Sequence, residues 1–580
     1  MAIIGSKKSG MIRALQVLLA ASVLVPVPVL AEEAAAPSES AMVNLVRALV
    51  ARGTLTQDIG DELIRQAETE AAQARLASQQ ASAGSGLPPA PNGAIRVPYI
   101  PESVRAQIKD ELRGEVMTEA RQANWASPDQ AAPEWTRRIT LHGDIRVRSQ
   151  SELYSKTNAN DIIDFATINA LSPYGIDDPG LLLPILNSRN DRWNQARLRA
   201  RLGVEAQVTK GVSAGITIAT GDNAGPISTN ASLGGGFFKR DLWLDRAWIS
   251  IEPTAWTKVT LGRLENPFSS SDLLYDTDLN LDGAAVELNS GTMLGDDLKV
   301  ALRGGAFPID FGSSNSPIFA FNKPKAPQKY LFAGELGVIG KLSDIGFALS
   351  AGYHVFNNFQ GDLSAPCQVE TESFCSTDSL QPLFLTKGNT LSPLRQIVTI
   401  DPNADLPQLL GYTFAYRILD ANASVTIPLN DALNVELKGS YVRNLGFDSA
   451  DICRNGLAGR PYNNDGPGGL TYCAATNPAQ FVGGDTGYRF EARLGQSRPN
   501  RKGEWNVFAG YRYLESDAVL DALTDSDFHF GGTNSKGYLV GGKYAFLPGV
   551  VLGGRWMSAN EISGPPLAID VLQVDLEVSF

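Results

Sequence analysis

Arginine recurs on every second residue in the middle of a regular alternation. Gln195, Arg197, Arg199, Arg201, Glu205 and Gln207 alternate with Ala196, Leu198, Ala200, Leu202, Val204 and Ala206. A period of two puts the polar set on one face of a strand and the apolar set on the other. Arginine on the lipid face of a membrane barrel costs about 2–4 kcal/mol at the midplane, so in such a barrel these three face inward. Arg146 and Arg148 share the polar parity of the preceding segment. The same test turns Arg246, Lys299, Arg303, Lys341, Lys438, Arg489, Arg493, Arg512, Lys543 and Arg555 inward. The clear inward acids are fewer: Asp144, Glu205, Glu287, Glu335, Glu436, Glu491, Asp575 and Glu577. Basic rings bias a pore toward anions. The plainer reading is that arginines pair with inward acids and brace the wall, with bracing expected for about half. The ladder of Arg146, Arg148, Arg197, Arg199 and Arg201 nevertheless exceeds its local acids.

A compensating set of acids, Glu265, Asp272, Asp276 and Asp278, lies in the segment 264–280. Folded into a barrel, this loop would set the constriction and oppose the arginines with a transverse field; as an external loop its acids would simply be solvated. Asp278-x-Asn280-x-Asp282-Gly283 matches the first half of a calcium-binding loop, but Asn289 stands where the bidentate Glu is needed. That leaves at most an adventitious cation site and no designed metal centre. Four cysteines allow three pairings. Cys367 with Cys375 and Cys453 with Cys473 are favoured as sequence neighbours on two loops, and neither spacing resembles a zinc site. An enzyme needs a nucleophile beside a base. His142, His354 and His529 are the only histidines, and Gly-x-Ser-x-Gly and His-Glu-x-x-His motifs are absent. A barrel lipase is the enzyme alternative those absences disfavour. No cofactor is implied, and a net charge of −12 argues against a nucleic-acid partner.

The elements that must position these residues are strands. Sixteen alternating segments are predicted at roughly 137–150, 193–208, 211–220, 242–251, 255–263, 281–289, 296–304, 330–342, 345–355, 412–427, 432–442, 486–498, 504–515, 536–547, 550–557 and 570–580. Short turns such as Thr209-Lys210, Glu252–Thr254, Ser343-Asp344 and Pro548-Gly549 alternate with long loops such as 151–192, 356–411 and 443–485. That sorting is the layout of outer-membrane barrels. In the last segment Leu572, Val574, Leu576, Val578 and Phe580 share one face, while Gln573, Asp575, Glu577 and Ser579 share the other. An aromatic end on a closing strand suits a barrel-assembly signal at Phe580, and the polar face implies a wet interior.

Ahead of the strands, Lys7, Lys8 and Arg13 precede an apolar run to Leu30, followed by Val29-x-Ala31 and Glu32-Glu33. This reads as a signal peptide, residues 1–31, cleaved after Ala31. Residues 32–81 carry helices, with Met42, Leu45, Val46, Leu49 and Val50 as an apolar stripe. Residues 82–101 form a Pro/Gly-rich linker, and 102–136 a third helix and lead-in. The helices pack on neighbours or form a trimeric stalk.

Three groups of residues carry a resemblance. The first is Gly262-Arg263-Leu264-Glu265-Asn266-Pro267-Phe268, then Asp272 to Leu279 and Asp282-Gly283. The second is Trp135 with Gly143-Asp144-Ile145-Arg146, and Asp245-Arg246-Ala247-Trp248. The third is the stretch 45–56 with the helix at 101–125. In these the chain resembles the Putative porin family of Gram-negative outer membranes, over nearly the whole mature length. The resemblance implies a porin-type channel of undefined solute. The expectation is therefore an all-β, sixteen-stranded antiparallel transmembrane barrel over 137–580 with a short helical periplasmic region. It would be a homotrimer in the outer-membrane bilayer, built by the barrel-assembly machinery, passing small hydrophilic solutes with an anion bias. The alternatives are an adhesion or surface-assembly barrel with disulfide-braced loops, and a substrate-selective channel.

Overall fold

The computed structural model describes Arg65 and residues 138–580, apart from 172–183, 223–224, 270, 292, 313–325, 369–373, 399–407, 431–432, 454–462 and 465–481. The expected signal peptide, the linker and nearly all of the helical region lie outside the described residues. The chain divides into two units, Met1–Val116 and Met117–Phe580; the second holds the architecture below.

Sixteen antiparallel strands follow one another in chain order: β1 Ile139–Tyr154, β2 Arg192–Thr209, β3 Val212–Gly221, β4 Asp241–Thr254, β5 Thr257–Glu265, β6 Asn280–Asn289, β7 Leu298–Asp310 and β8 Lys329–Leu342. They continue as β9 Ile345–Asn357, β10 Tyr416–Asn430, β11 Leu433–Asn444, β12 Thr486–Gly495, β13 Trp505–Leu514, β14 Ser535–Leu547, β15 Val550–Glu561 and β16 Ile569–Ser579. β16 pairs with β1 from Asp144↔Ser579 to Tyr154↔Ile569, which closes the sheet. Phe580 extends the seam: its N–H donates to Gly143 O at 3.0 Å, and Gly143 N–H donates back at 2.9 Å. A closed sheet satisfies its own backbone, the condition for crossing lipid with strands. The outer face is apolar in the predicted parity. Leu141 is 59% exposed, and Ile145, Val147, Leu572, Val574 and Leu576 are exposed beside it.

Long connections gather at one end: L1 155–191, L2 222–240, L3 266–279, L4 311–328, L5 358–415, L6 445–485, L7 515–534 and L8 562–568. Short turns occupy the other. The β4–β5 turn falls at Ala255-Trp256, later than the predicted Glu252–Thr254, because Thr254 pairs with Thr257. L1 also holds a short helix, α1 Phe165–Leu171, where only loop was expected. Asp164 caps it, accepting from Thr167 N–H at 3.2 Å.

Part of the interior differs from the wet one that the polar face of the last strand implies. At the loop end the inward side chains are apolar: Phe307, Leu331, Phe356, Tyr416, Ile418, Val442 and Leu514 on β7–β13. Around the seam they are Tyr154, Leu539, Met557, Ile569 and Val571. Leu273, Leu274 and Tyr275 of L3, Leu391, Leu410 and Tyr412 of L5, and Val519 and Leu520 of L7 pack on the first set. Burying each such side chain contributes about 1.5–3 kcal/mol. The alternation marked which side chains point inward but not that loops would cover them.

Candidate functional site

L3 enters the barrel because its base leaves the chain no other course. Gly262 on β5 and Gly283 on β6 stand opposite each other with φ of 112° and 143°. A Cβ at Gly262 would lie 2.4 Å from Ala247 O, and one at Gly283 2.3 Å from Ala306 O. Only glycine fits that twisted, close-packed neck. Past Glu265, Asn266 Oδ1 accepts from Phe268 N–H at 3.1 Å, turning the chain inward.

Inside, L3 is tied to several walls. Ser269 N–H donates to Glu335 of β8 at 2.7 Å. The Tyr275 hydroxyl lies 3.0 Å from His354 Nδ1, and His354 Nε2 lies 2.9 Å from Asp420. Tyr275 and His354 are buried, so this chain of hydrogen bonds anchors L3 to the wall. Asp272 pairs with Arg489 of β12. Asp278 pairs with Arg201 at 3.5 Å and accepts from Thr229 Oγ1 at 3.0 Å. Glu265, at the base, pairs with Arg246 at 2.6 Å.

L7 joins L3 to make one crossbar. Asp276 N–H donates to Leu523 O at 2.7 Å, and Asp525 N–H to Asp272 O at 3.3 Å. Ser526 N–H donates to the Asp276 carboxylate at 2.8 Å. The next residue of L7, Asp527, pairs with Arg148 at 2.8 Å and with Arg555, and accepts from Gln573 at 3.0 Å. The crossbar thus runs from β12 to the β15–β16–β1 seam.

These loops change the account of the arginines. Arg146 faces Arg199 and Arg148 faces Arg197 across β1–β2, a like-charge arrangement that needs compensation. Arg148 takes Asp575 at 2.7 Å besides Asp527. Arg199 takes Asp144 at 2.7 Å and Glu577 at 3.0 Å. Arg201 shares Asp144 at 2.6 Å, and Arg197 reaches Glu152 at 3.4 Å. Elsewhere Arg303 bridges Glu287 at 2.8 Å and Glu335 at 2.7 Å, while Arg489 and Arg493 share Glu491 at 2.6 Å each. Bracing therefore covers more of the ladder than half. Asp278 is among the loop acids expected to oppose the arginines; Asp527, which arrives on L7, is the one the sequence reading missed.

Cavities flank the crossbar. One of ≈ 750 Å³ is lined by ten Lys and Arg side chains, among them Arg146, Arg148 and Arg199, against eight carboxylates. Another of ≈ 800 Å³, bordered by Arg303, Arg489 and Arg493, has five against three. Asp272 and Thr277 line both, so L3 stands between them. A smaller one of ≈ 340 Å³ lies by Arg246, Glu265 and Glu287. The half-match to a calcium loop does not gather ligands: Asp278 binds Arg201, Asn280 donates to Asp245, and Asp282 pairs with Arg263. In L5, Cys367 and Cys375 form a disulfide with Cα atoms 5.8 Å apart. Cys453 is disulfide-bonded; Cys473, its expected partner, lies outside the described residues.

Asp276 sits at the L3–L7 contact. Burial, together with Asp525 and Asp278, pushes its carboxyl up to about 8. A free aspartate loses its proton near pH 4, so the undocked loop releases protons first as pH rises. Docking is then favoured at low pH and weakened as pH climbs through about 8. We expect crossbar mobility, read as channel-current noise or as protease access to L3, to increase from pH 6 to pH 9. Asp276→Asn should flatten the profile; an unchanged profile in that variant would assign the effect to another group.

A closed antiparallel barrel, apolar outside and charged within, is a membrane-spanning β-barrel. The family model described as Putative porin matches residues 39–580, and the chain belongs to that family. No curated protein matches the sequence. Among solved structures the chain is similar to the outer membrane channel DcaP of Acinetobacter baumannii, at 10% identity over 76% of this chain and 97% of that one, with a TM-score of 0.34. It is similar to Pseudomonas putida OprB at 11% identity over 77% and 95%, TM-score 0.41. A loop L8 deletion mutant of OmpT, an outer membrane protein of Vibrio cholerae, aligns at 9% identity over 76% and 100%, TM-score 0.34. At these scores the likeness decides nothing about solute or selectivity.

Proposed function

We propose that the protein is an outer-membrane porin through which small hydrophilic solutes diffuse passively, with a lumen that leans toward anions. The observation that carries the anion bias is the cationic surplus in both cavities beside the crossbar. Charge rings of one sign select the opposite ion. The constriction is formed by L3 and L7 together, with Asp272 paired to Arg489 and Asp278 to Arg201, and with Asp276, Arg148 and Arg199 lining the same cavity. Arg146, Arg197, Arg246, Arg303 and Arg493 complete the charged wall. In this reading the short-turn end faces the periplasm with the N-terminal helices, the signal peptide is cleaved after Ala31, Cys453 bonds Cys473, and three copies assemble.

A second reading draws on the shared core of L3, L5 and L7 at the loop end. A barrel capped there would serve adhesion or surface assembly. Steady ion current across a planar bilayer separates the two: the porin reading requires it, and a capped barrel carries none.

A further inference from the structure

Arg146 is the member of the ladder that the loops leave without a carboxylate. Its register neighbours are Arg199 on β2 and Glu577 on β16, and Glu577 is already engaged by Arg199 at 3.0 Å. Among the described residues no carboxylate lies within ion-pair distance of Arg146. One guanidinium nitrogen donates to the neutral Asn230 Oδ1 at 2.7 Å, and Nε is buried with no acceptor. L2 supplies that Asn230, next to the Ala231–Ser232 segment that pairs with Arg197 and Leu198 of β2.

Lys543 on β14 borders the same cavity, and it too lacks an ion pair among the described residues. The acids that could serve it are held elsewhere: Asp575 by Arg148 at 2.7 Å, and Asp527 by Arg148 and Arg555. Between Lys543 and Asp575 stands Gly553, where an added Cβ would find its nearest atoms 3.6 and 3.9 Å away. The wall is recessed beside the lysine. Arg146, half-buried, and Lys543, exposed, therefore both border this cavity without a counter-charge among the described residues. The half-buried charge of Arg146 is favourable only when paired, and its guanidinium fork with the Lys543 ammonium suits the oxygens of a carboxylate or phosphate.

We propose that Arg146 and Lys543, with Asn230 orienting the guanidinium, hold a small oxyanion in the cavity on the seam side of the L3–L7 crossbar. This rests on the channel reading only for its place in passage: it makes the anion bias a binding station rather than a diffuse field. A carboxylate and a phosphate group share the chemistry that the pair recognises, and the test separates them.

The test is calorimetric titration of the full-length protein in detergent with sodium phosphate and, separately, sodium acetate, each at fixed ionic strength against sodium chloride. Saturable binding of either, beyond chloride, supports the site and says which oxyanion it prefers. Arg146→Gln and Lys543→Gln should each weaken that binding about tenfold, the loss expected for one charge-assisted contact. Arg146→Lys should keep part of it. Lys543→Gln removes no ion pair, so its folding is not at issue. Heats identical to those with chloride, or binding that survives both Gln substitutions unchanged, would overturn the proposal. Ion current without oxyanion binding removes the site and leaves the channel; binding without current does the reverse.

Discussion

Asp527→Ala should loosen L7 and lower the barrel's resistance to unfolding more than any other single loop substitution. One carboxylate serves Arg148, whose side chain is 2% exposed, Arg555 and Gln573. Burial works against its ionised form, yet Arg555 and Arg148 outweigh burial and hold the carboxyl well below the usual range. A group so shifted gives its full stabilisation at neutral pH, lost only as pH falls below the ordinary aspartate range. Breaking a buried pair costs about 3–5 kcal/mol; because Arg148 retains Asp575, the lower end is expected. Asp527→Asn keeps the shape and should fall between. The readouts are the denaturation midpoint in detergent and limited proteolysis within 515–534. An alanine variant with wild-type midpoint and a protected L7 would show that Asp527 does not fasten the loop.

Deleting Phe580 should abolish most barrel assembly while export continues. The residue closes the seam by exchanging two backbone hydrogen bonds with Gly143, and it is 62% exposed. Lipid offers no substitute for an unpaired edge, and an aromatic at the membrane boundary is well placed to be recognised during assembly. The expected result is loss of the heat-modifiable folded form on gels, with processed but unfolded chain retained. Heat-modifiable protein in wild-type yield would show that the seam and its recognition do not depend on this residue.

The strands were legible because their residues alternate, lipid forbids charge on one face, and short turns alternate with long loops between them. All sixteen predicted segments overlap an observed strand. The loops were not legible in the same way. Nothing periodic in 515–534 announces that Asp527 reaches Arg148, although four aspartates interleaved with Ala518, Val519, Leu520, Leu523 and Phe528 are unusual for a solvated loop. Such a mixture signals a segment that is itself folded. For the same reason the dry loop-end interior was missed: Val571 continues the inward face of Gln573, but alternation alone does not say whether water or Phe528 will cover it. Ion pairs depended on that unseen covering: Asp527, carried on L7, takes Arg148 and Arg555.

The reversal potential of a planar bilayer holding the purified protein in a potassium chloride gradient tests the central claim most directly. Dilute salt should be used, since the Debye length shrinks to ≈ 8 Å at physiological ionic strength and screens the walls. The account predicts steady current whose reversal potential shifts toward the chloride equilibrium value, a shift that diminishes in Arg146→Gln. Steady current with a reversal potential toward potassium, unchanged by that substitution, would contradict it.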